Sequence, residues 1–448
     1  MMSGDDKQPL EQEEAPTAQT DSPRQWNWVA GCVWTVRMLE ALINGVKGGK
    51  WYSLMDKIWT RRTLWTAWEK VASNKGAAGV DRQSVEMFEQ RAEQELEQIA
   101  RELQENRYRP RPVRRTWIPK PGSPEKRPLG IPTVRDRVVQ TGVKYALEPI
   151  FEKEFAEQSY GFRPGRSCKD ALRRVSALLE QGNLWIVDAD LKSYFDTIDH
   201  QKLMRRVEEK IADGRLLGLI RRYLEQGIME DMNYWVPEQG TPQGAIVSPL
   251  LANVFLNPLD HMLARQGMEM VRYADDFVIL CPSLEQAEKA LKLVQEWTEE
   301  QGLTLHPEKT RIVDGNVKGG FDFLGYHFDV DGKRWPRKKS VQKFRETIRG
   351  RTRRTNGNSM ECIIEQINPV LRGWYGYFKH SVKGTFKALD GWVRMRLRSI
   401  LRKRSKRKGG GRGADHQRWP NAYFAEAGLY SMYEARRRDA HSAQAVNH

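Results

Sequence analysis

The chain has 448 residues, enough for two or three domains with a sizeable core. Its formal charge of +16 points to a polyanionic partner, most simply nucleic acid. Four scattered cysteines (Cys32, Cys168, Cys281, Cys362) with no Cys-x-x-Cys pair argue against a zinc ribbon or a disulfide framework, and no apolar run nears the roughly 18–20 residues of a membrane span. Residues 1–24 are acidic and poor in large apolar side chains, which predicts a disordered tail and offers no signal or transit peptide. A reducing, cytoplasmic setting is the expectation. The charge is unevenly spread: residues 331–413 hold 25 Lys and Arg against 5 Asp and Glu, leaving the rest mildly acidic.

From Trp26 to about Val71 the pattern is helical, with Trp65 and Trp68 at i, i+3 spacing on one face, more a core pair than a base-stacking platform. Asn74 to Asp81 is a glycine-rich loop, and a charged helix follows to about Glu105. The string Trp117 to Pro132 fits two strands about a Pro/Gly turn, presenting Lys120 and Arg127 from one fingertip hairpin. A basic surface hairpin would look the same in isolation. Thr133 to Ala156 has helical periodicity, which Ser159-Tyr160-Gly161-Phe162-Arg163-Pro164-Gly165-Arg166 breaks.

Two carboxylate clusters follow. Leu184 to Asp196 is an apolar strand running into an acidic end, with Asp188, Asp190 and Asp196 as rival metal ligands. Asp188 and Asp190 share a face of a regular strand. Met270 to Leu280 places Asp275-Asp276 between two apolar runs, which predicts a tight hairpin with both aspartates at its tip. An ordinary hairpin with a polar turn gives the same pattern. If the two clusters meet, the crowded carboxylates need cations, and Mg²⁺ is the hard, oxygen-seeking choice. Two such ions, about 3.5–4 Å apart, suit phosphoryl transfer.

Between the clusters, Gln239-Gly240-Thr241-Pro242-Gln243-Gly244 is a turn opening an apolar helix, where Thr241 or Ser248 could cap. A helix over about 283–301 leads to Lys309, and Phe323 to Phe328 alternates like a strand. The basic region brackets an apolar helical stretch, Leu371 to Phe378, with Arg351, Arg353 and Arg354 on one side and a 402–408 run on the other. Basic clusters with interleaved aromatics suit a surface that tracks phosphates and stacks on RNA.

Tyr273-Ala274-Asp275-Asp276 resembles the catalytic box of reverse transcriptases. The sequence from about Lys70 to Arg438 resembles the proteins encoded by bacterial group II introns, which combine reverse transcriptase and maturase activities. One departure is Arg82, where the family's glycine-rich loop usually continues with Gly. The resemblance implies an α+β right-hand polymerase: fingers and a palm with an antiparallel sheet over 25–332, a helical thumb or maturase domain over 333–412, and a short basic DNA-binding-like segment over 413–448. No nuclease module follows, so target cleavage is not expected.

It implies Asp190, Asp275 and Asp276, with the Leu191 backbone carbonyl, as ligands of two Mg²⁺ ions that Mn²⁺ could replace. Asp190 is picked because the family pattern sets the catalytic Asp five residues before an aromatic, here Phe195, whose ring would select deoxynucleotides. Lys120 and Arg127 would contact the triphosphate, Gln243 and Gly244 the nascent base pair, and Lys309 the leaving pyrophosphate, although a solvated surface lysine fits equally. Arg163 and Arg166 would lie near the template, Gly325 at the primer end, and Arg351, Arg353 and Arg354 on nucleic acid. Implied partners are intron RNA, an RNA template, a DNA primer or target, and dNTPs. Two other functions fit the residues: an RNA-binding splicing cofactor without polymerase chemistry, and a related reverse transcriptase recruited to host defence.

Overall fold

The computed structural model describes residues 26–119, 126–230, 233–241, 244–317, 319–329, 332–406 and 413–446. The expected tail, Lys120, Gln243 and the run 407–412 lie outside them. Helices between Val36 and Gln104 form an N-terminal layer. In the helix Arg61–Ser73, Thr60 caps the Thr63 amide, and Leu64, Ala67, Trp68 and Val71 form the buried stripe. Trp68 stacks on Phe88 at 4.5 Å between ring centroids, whereas Trp65 stays partly exposed and reaches Glu69. The two tryptophans therefore split between core and rim. The helix Val134–Glu152 is buried on nearly every side and ties this layer to the rest.

Strands β1 (Val113–Pro119) and β2 (Lys126–Ile131) pair antiparallel from Arg114↔Ile131 to Pro119↔Lys126, the hairpin expected from the Pro/Gly turn. Strand β3 is Trp185–Asp190. Strands β4 (Ile228–Glu230) and β5 (Asn233–Trp235) extend the first sheet in the order β2-β1-β4-β5. Strands β6 (Glu269–Tyr273), β7 (Asp276–Cys281) and β8 (Arg311–Asp314) join β3 in a second, antiparallel sheet ordered β6-β7-β3-β8.

Both faces of that second sheet are covered, which explains its near-continuous apolar strands. Val187, Ala189, Met270, Phe277 and Ile279 enter the main core, with the apolar helix Ser248–Arg265. Ile186, Val271, Val278 and Leu280 face the other way, into a cluster with Phe321, Phe323, Tyr326 and Phe328. These last belong to β9 (Phe321–Phe323) and β10 (Tyr326–Phe328), which pair with each other and with β11 (Arg334–Pro336). The stretch 323–328, expected as one strand, is thus a hairpin. Its turn, Leu324-Gly325, has φ of 45° and 83°, a left-handed pair that reverses the chain.

The basic region forms a second helical unit with its own core, built from the helices Lys338–Arg351, Met360–Phe378 and Lys383–Arg404. Phe424, Met432 and Ala435 complete that core, so the described part of the C-terminal segment packs with these helices. Buried Asp390 accepts from Ser431 Oγ (2.7 Å) and the Tyr433 amide (3.0 Å), capping the final helix Met432–Val446.

Candidate active site

Register brings the two acidic clusters together. On β3 and β7 the Cα partner of Asp190 is Asp276, and the partner of Asp188 is Val278. Paired residues of antiparallel strands point to one face, as do residues two apart on one strand. Asp188, Asp190 and Asp276 therefore share a face. Asp275 stands beside them in the two-residue turn Ala274-Asp275 that joins β6 to β7 through the Tyr273↔Asp276 pair. Only one aspartate occupies the turn, since Asp276 already begins the strand. Ala274 has φ of 62°, a left-handed value at the first central position, where turns of this hand favour glycine.

Charge is crowded on that face. Burial and the neighbouring Asp188, Asp275 and Asp190 push the Asp276 carboxyl up to about 7. Burial, offset by Arg311 and reinforced by Asp190, pushes Asp188 up to about 6. Asp275 is raised mainly by burial and also by Asp190, while Arg127 and Arg272 act to lower it. Lys309 Nζ lies 2.6 Å from Asp190 Oδ2, and Arg311 lies 3.8 Å from Asp188. This all-carboxylate donor set fits a hard divalent cation. As placed, no three His, Cys, Asp or Glu groups among the described residues stand close enough to enclose one. Burial and neighbouring carboxylates raise Asp188 and Asp276, and a divalent cation bound between them would relieve that crowding. Leu191 forms an isolated bridge with Leu305, flanked by Lys192 N to Thr304 O (2.8 Å) and His306 N to Asp190 O (2.7 Å). Its own carbonyl takes no part in that bridge.

The β1-β2 hairpin and the loop before the Ser248–Arg265 helix border the acidic face. Arg127 is exposed on β2 and its charge reaches Asp275. Gly244 has φ of 110°, and a Cβ there would meet Gly130 O at 2.4 Å, so this loop presses directly on β2. Phe195 is half-buried beside Tyr194, and its carbonyl accepts from the Thr241 amide at 2.6 Å. Asp196 instead turns onto the short helix Tyr194–Thr197 and lines a separate cavity with Arg115 and Trp235.

Residues 118–328 match the family model "Reverse transcriptase (RNA-dependent DNA polymerase)", and residues 341–419 match "Group II intron, maturase-specific domain". Protein YkfC of Escherichia coli K12 is 35% identical over 295 residues, covering 57% of this chain and 77% of YkfC. The chain belongs to the group II intron reverse transcriptase/maturase family. The group II intron-encoded protein LtrA of Lactococcus lactis is 39% identical over 210 residues, 46% of this chain but only 34% of LtrA. The chain thus aligns with about a third of LtrA's length.

In this reverse transcriptase the right-hand architecture follows: fingers sheet, antiparallel palm carrying the aspartates, helical thumb. The β9-β10 hairpin bolts palm to thumb. Gly325 O accepts from Arg337 N (3.0 Å) and Ser340 Oγ (3.1 Å), and Leu324 O accepts from Tyr377 OH (2.6 Å). Beside it a cavity of about 580 Å³ runs from Asp276 past Gly325 to Arg337, Lys343 and Trp374. Arg351, Arg353 and Arg354 are exposed at the end of the first thumb helix, where Arg351 also donates to the Gln366 carbonyl.

Arg163 departs from its expected place at the template. It is 7% exposed, and it donates to Glu152 (2.7 Å) and to the carbonyls of Ala156 (2.6 Å) and Ser159 (2.9 Å). Its donors are spent bracing the loop that precedes Gly165. Arg166 keeps partial exposure, stacked over Tyr160 at 5.5 Å.

Sequence reading missed two contributors. Gly161 packs backbone to backbone on the aspartate turn, and Arg272 donates to the Ala274 carbonyl at 2.8 Å from full burial. One signal was available for the last: an arginine inside the apolar run of β6, with Asn253 and Asp260 two turns apart on a mostly apolar helix. Asp188, a rival ligand by sequence, adds the largest neighbouring charge felt by Asp276.

Proposed function

We propose that the chain is an RNA-directed DNA polymerase of the group II intron type, extending a DNA primer on an RNA template. The observation that carries this is the Asp190↔Asp276 register with Asp275 in the adjoining turn. A primer 3′-hydroxyl attacks the α-phosphate of a deoxynucleoside triphosphate, and pyrophosphate leaves. Two bound divalent ions, Mg²⁺ or Mn²⁺, would activate the attacking oxygen and stabilise the leaving one. Asp190, Asp275 and Asp276, with the Leu191 carbonyl, would hold them. Arg127, with Lys120, clamps the outer phosphates. Lys309 carries a proton at Nζ for the leaving group, and Phe195 excludes a ribose 2′-hydroxyl. Gln243 and Gly244 border the nascent pair, Arg166 touches template phosphates, and the Gly325 hairpin holds the primer end. We assign 25–332 to fingers and palm and the helical unit after it to the thumb. Asp275→Asn should abolish extension of a DNA primer on an RNA template while leaving the fold intact; full activity in that variant removes the assignment.

A second activity, assistance to intron RNA splicing, draws on the outer face of the first thumb helix. Arg345 and Arg349 both lie over the Trp392 ring, at 5.7 and 5.8 Å, and neither has a salt-bridge partner among the described residues. Stacked arginines with unspent donors suit RNA backbone. Splicing support that survives in Asp275→Asn would separate this role from polymerisation.

A further inference from the structure

The turn bearing Asp275 is not one its own residues favour. Ala274 holds φ of 62°, a conformation that costs an alanine energy and persists only where surrounding structure imposes it. The imposing group is on the sheet's other face. Arg272 is fully buried there, and each of its five N–H donors has one acceptor. Nε donates to Asp260 Oδ1 (2.7 Å), and the two Nη groups to Asp260 Oδ2 (2.5 Å), Asn253 Oδ1 (2.9 Å), Ser159 Oγ (2.8 Å) and Ala274 O (2.8 Å).

Four of these contacts tie the guanidinium to a helix and to the segment beside β6. The fifth reaches the catalytic turn. The Ala274 carbonyl belongs to the peptide plane whose nitrogen is that of Asp275, so gripping it sets where the Asp275 Cα points. Asn253 closes the frame, since its Nδ2 donates to Gly161 O at 2.8 Å and Gly161 lies against Ala274. An ion pair with Asp260 alone would satisfy the buried charge; it would not need the Ala274 carbonyl. We infer that Arg272 is a positioning residue for polymerisation: through the Ala274 carbonyl it holds the Asp275 turn in the geometry in which the carboxylates can work together. This rests on the reading of Asp275 and Asp276 as catalytic carboxylates.

The test separates positioning from mere support. Replacing a buried ion pair by apolar residues of similar volume commonly preserves a fold, so Arg272→Met with Asp260→Leu removes the grip without stranding a charge. In the full chain this pair should bind an RNA–DNA primer-template with unchanged Kd and keep its KM for dNTP. Its kcat should fall about a hundredfold, the scale expected for a displacement of order 1 Å at reacting groups. Wild-type kcat in a folded double variant overturns the inference. If the double variant does not fold, Arg272→Lys is judged by the same criterion. Adding Ala274→Gly to Arg272→Lys supplies the rescue arm, because glycine takes a positive φ without penalty and should return part of the lost kcat. No recovery with glycine, at normal primer-template affinity, also counts against positioning. Asp275→Asn runs alongside: activity there sinks the polymerase reading itself, whereas an inactive Asp275→Asn beside a fully active double variant sinks only the role of Arg272.

Discussion

Replacing Gly161 by alanine should cripple the polymerase without touching a carboxylate. Gly161 has no positive φ, so alanine is acceptable to its own backbone and the effect is one of space alone. A Cβ there would stand 2.3 Å from Ala274 N, 2.9 Å from Tyr273 C and 3.2 Å from Ala274 Cα, where ordinary contact begins near 3.4 Å. The two backbones must separate by 3.4 − 2.3, or 1.1 Å. Neither side yields easily, because Tyr160 N donates to Arg272 O (2.8 Å) and Arg272 N to Gln158 O (2.9 Å). Overpacking of this kind costs about 1–3 kcal/mol, and a shift of about 1 Å at the turn predicts roughly a hundredfold loss of kcat. Single-nucleotide extension at saturating dNTP and Mg²⁺ measures the second, and the apparent unfolding temperature registers the first. Gly218→Ala is the matched control. It lies in the helix Gly214–Leu224 with nothing within 4 Å of its Cβ position, so it should keep full activity and gain up to about 1 kcal/mol from helix propensity. A Gly161→Ala protein with wild-type kcat and unfolding temperature would refute the close-approach reasoning.

Phe195→Ala should relax discrimination against ribonucleotides by roughly 10–200-fold, read as the ratio of kcat/KM for dNTP and rNTP; an unchanged ratio would remove the gate. Burial raises the Asp136 carboxyl from 3.8 to about 6, although Thr133, Tyr108 and the Arg111 amide hydrogen-bond to it. A raised carboxyl stabilises fully below its unfolded pKa of 3.8, and that contribution of about 3 kcal/mol is lost as pH rises through about 6. Wild type should therefore gain on Asp136→Asn in unfolding measurements as pH drops from 6.5 to about 4, and parallel profiles would contradict the shift. Changing Arg351, Arg353 and Arg354 together to Ala should flatten the plot of log affinity for RNA against log salt by about 2–3 units, at roughly 0.7–0.9 per lost phosphate contact. An unaltered slope would place those side chains off the RNA.

The aspartate-bearing strands were legible because local pattern is enough for them. Short apolar runs bordering Asp can be read as strand and turn, and the motif order from Lys126-Arg127 to Leu371 follows from the chain itself. So can the concentration of positive charge after residue 331. The hairpin at Leu324-Gly325 was missed because apolar alternation and a short turn look alike over six residues, and only the two positive φ values tell them apart. Arg163 was misplaced for another reason: an arginine in a loop has the same composition whether it faces solvent or Glu152, eleven residues back.

What the sequence by itself determined is which residues could do chemistry and which short element carries each one, since propensity, periodicity and turn chemistry act over a few positions. Only the tertiary structure decided their mutual geometry. It set Asp190 against Asp276, put Lys309 on Asp190 across 119 residues, laid Gly161 on Ala274, and closed Arg272 over Asp260, Asn253 and Ser159. Those contacts depend on strand register and on what the opposite face of a sheet meets, and a one-residue slip would undo them while leaving every local signal unchanged.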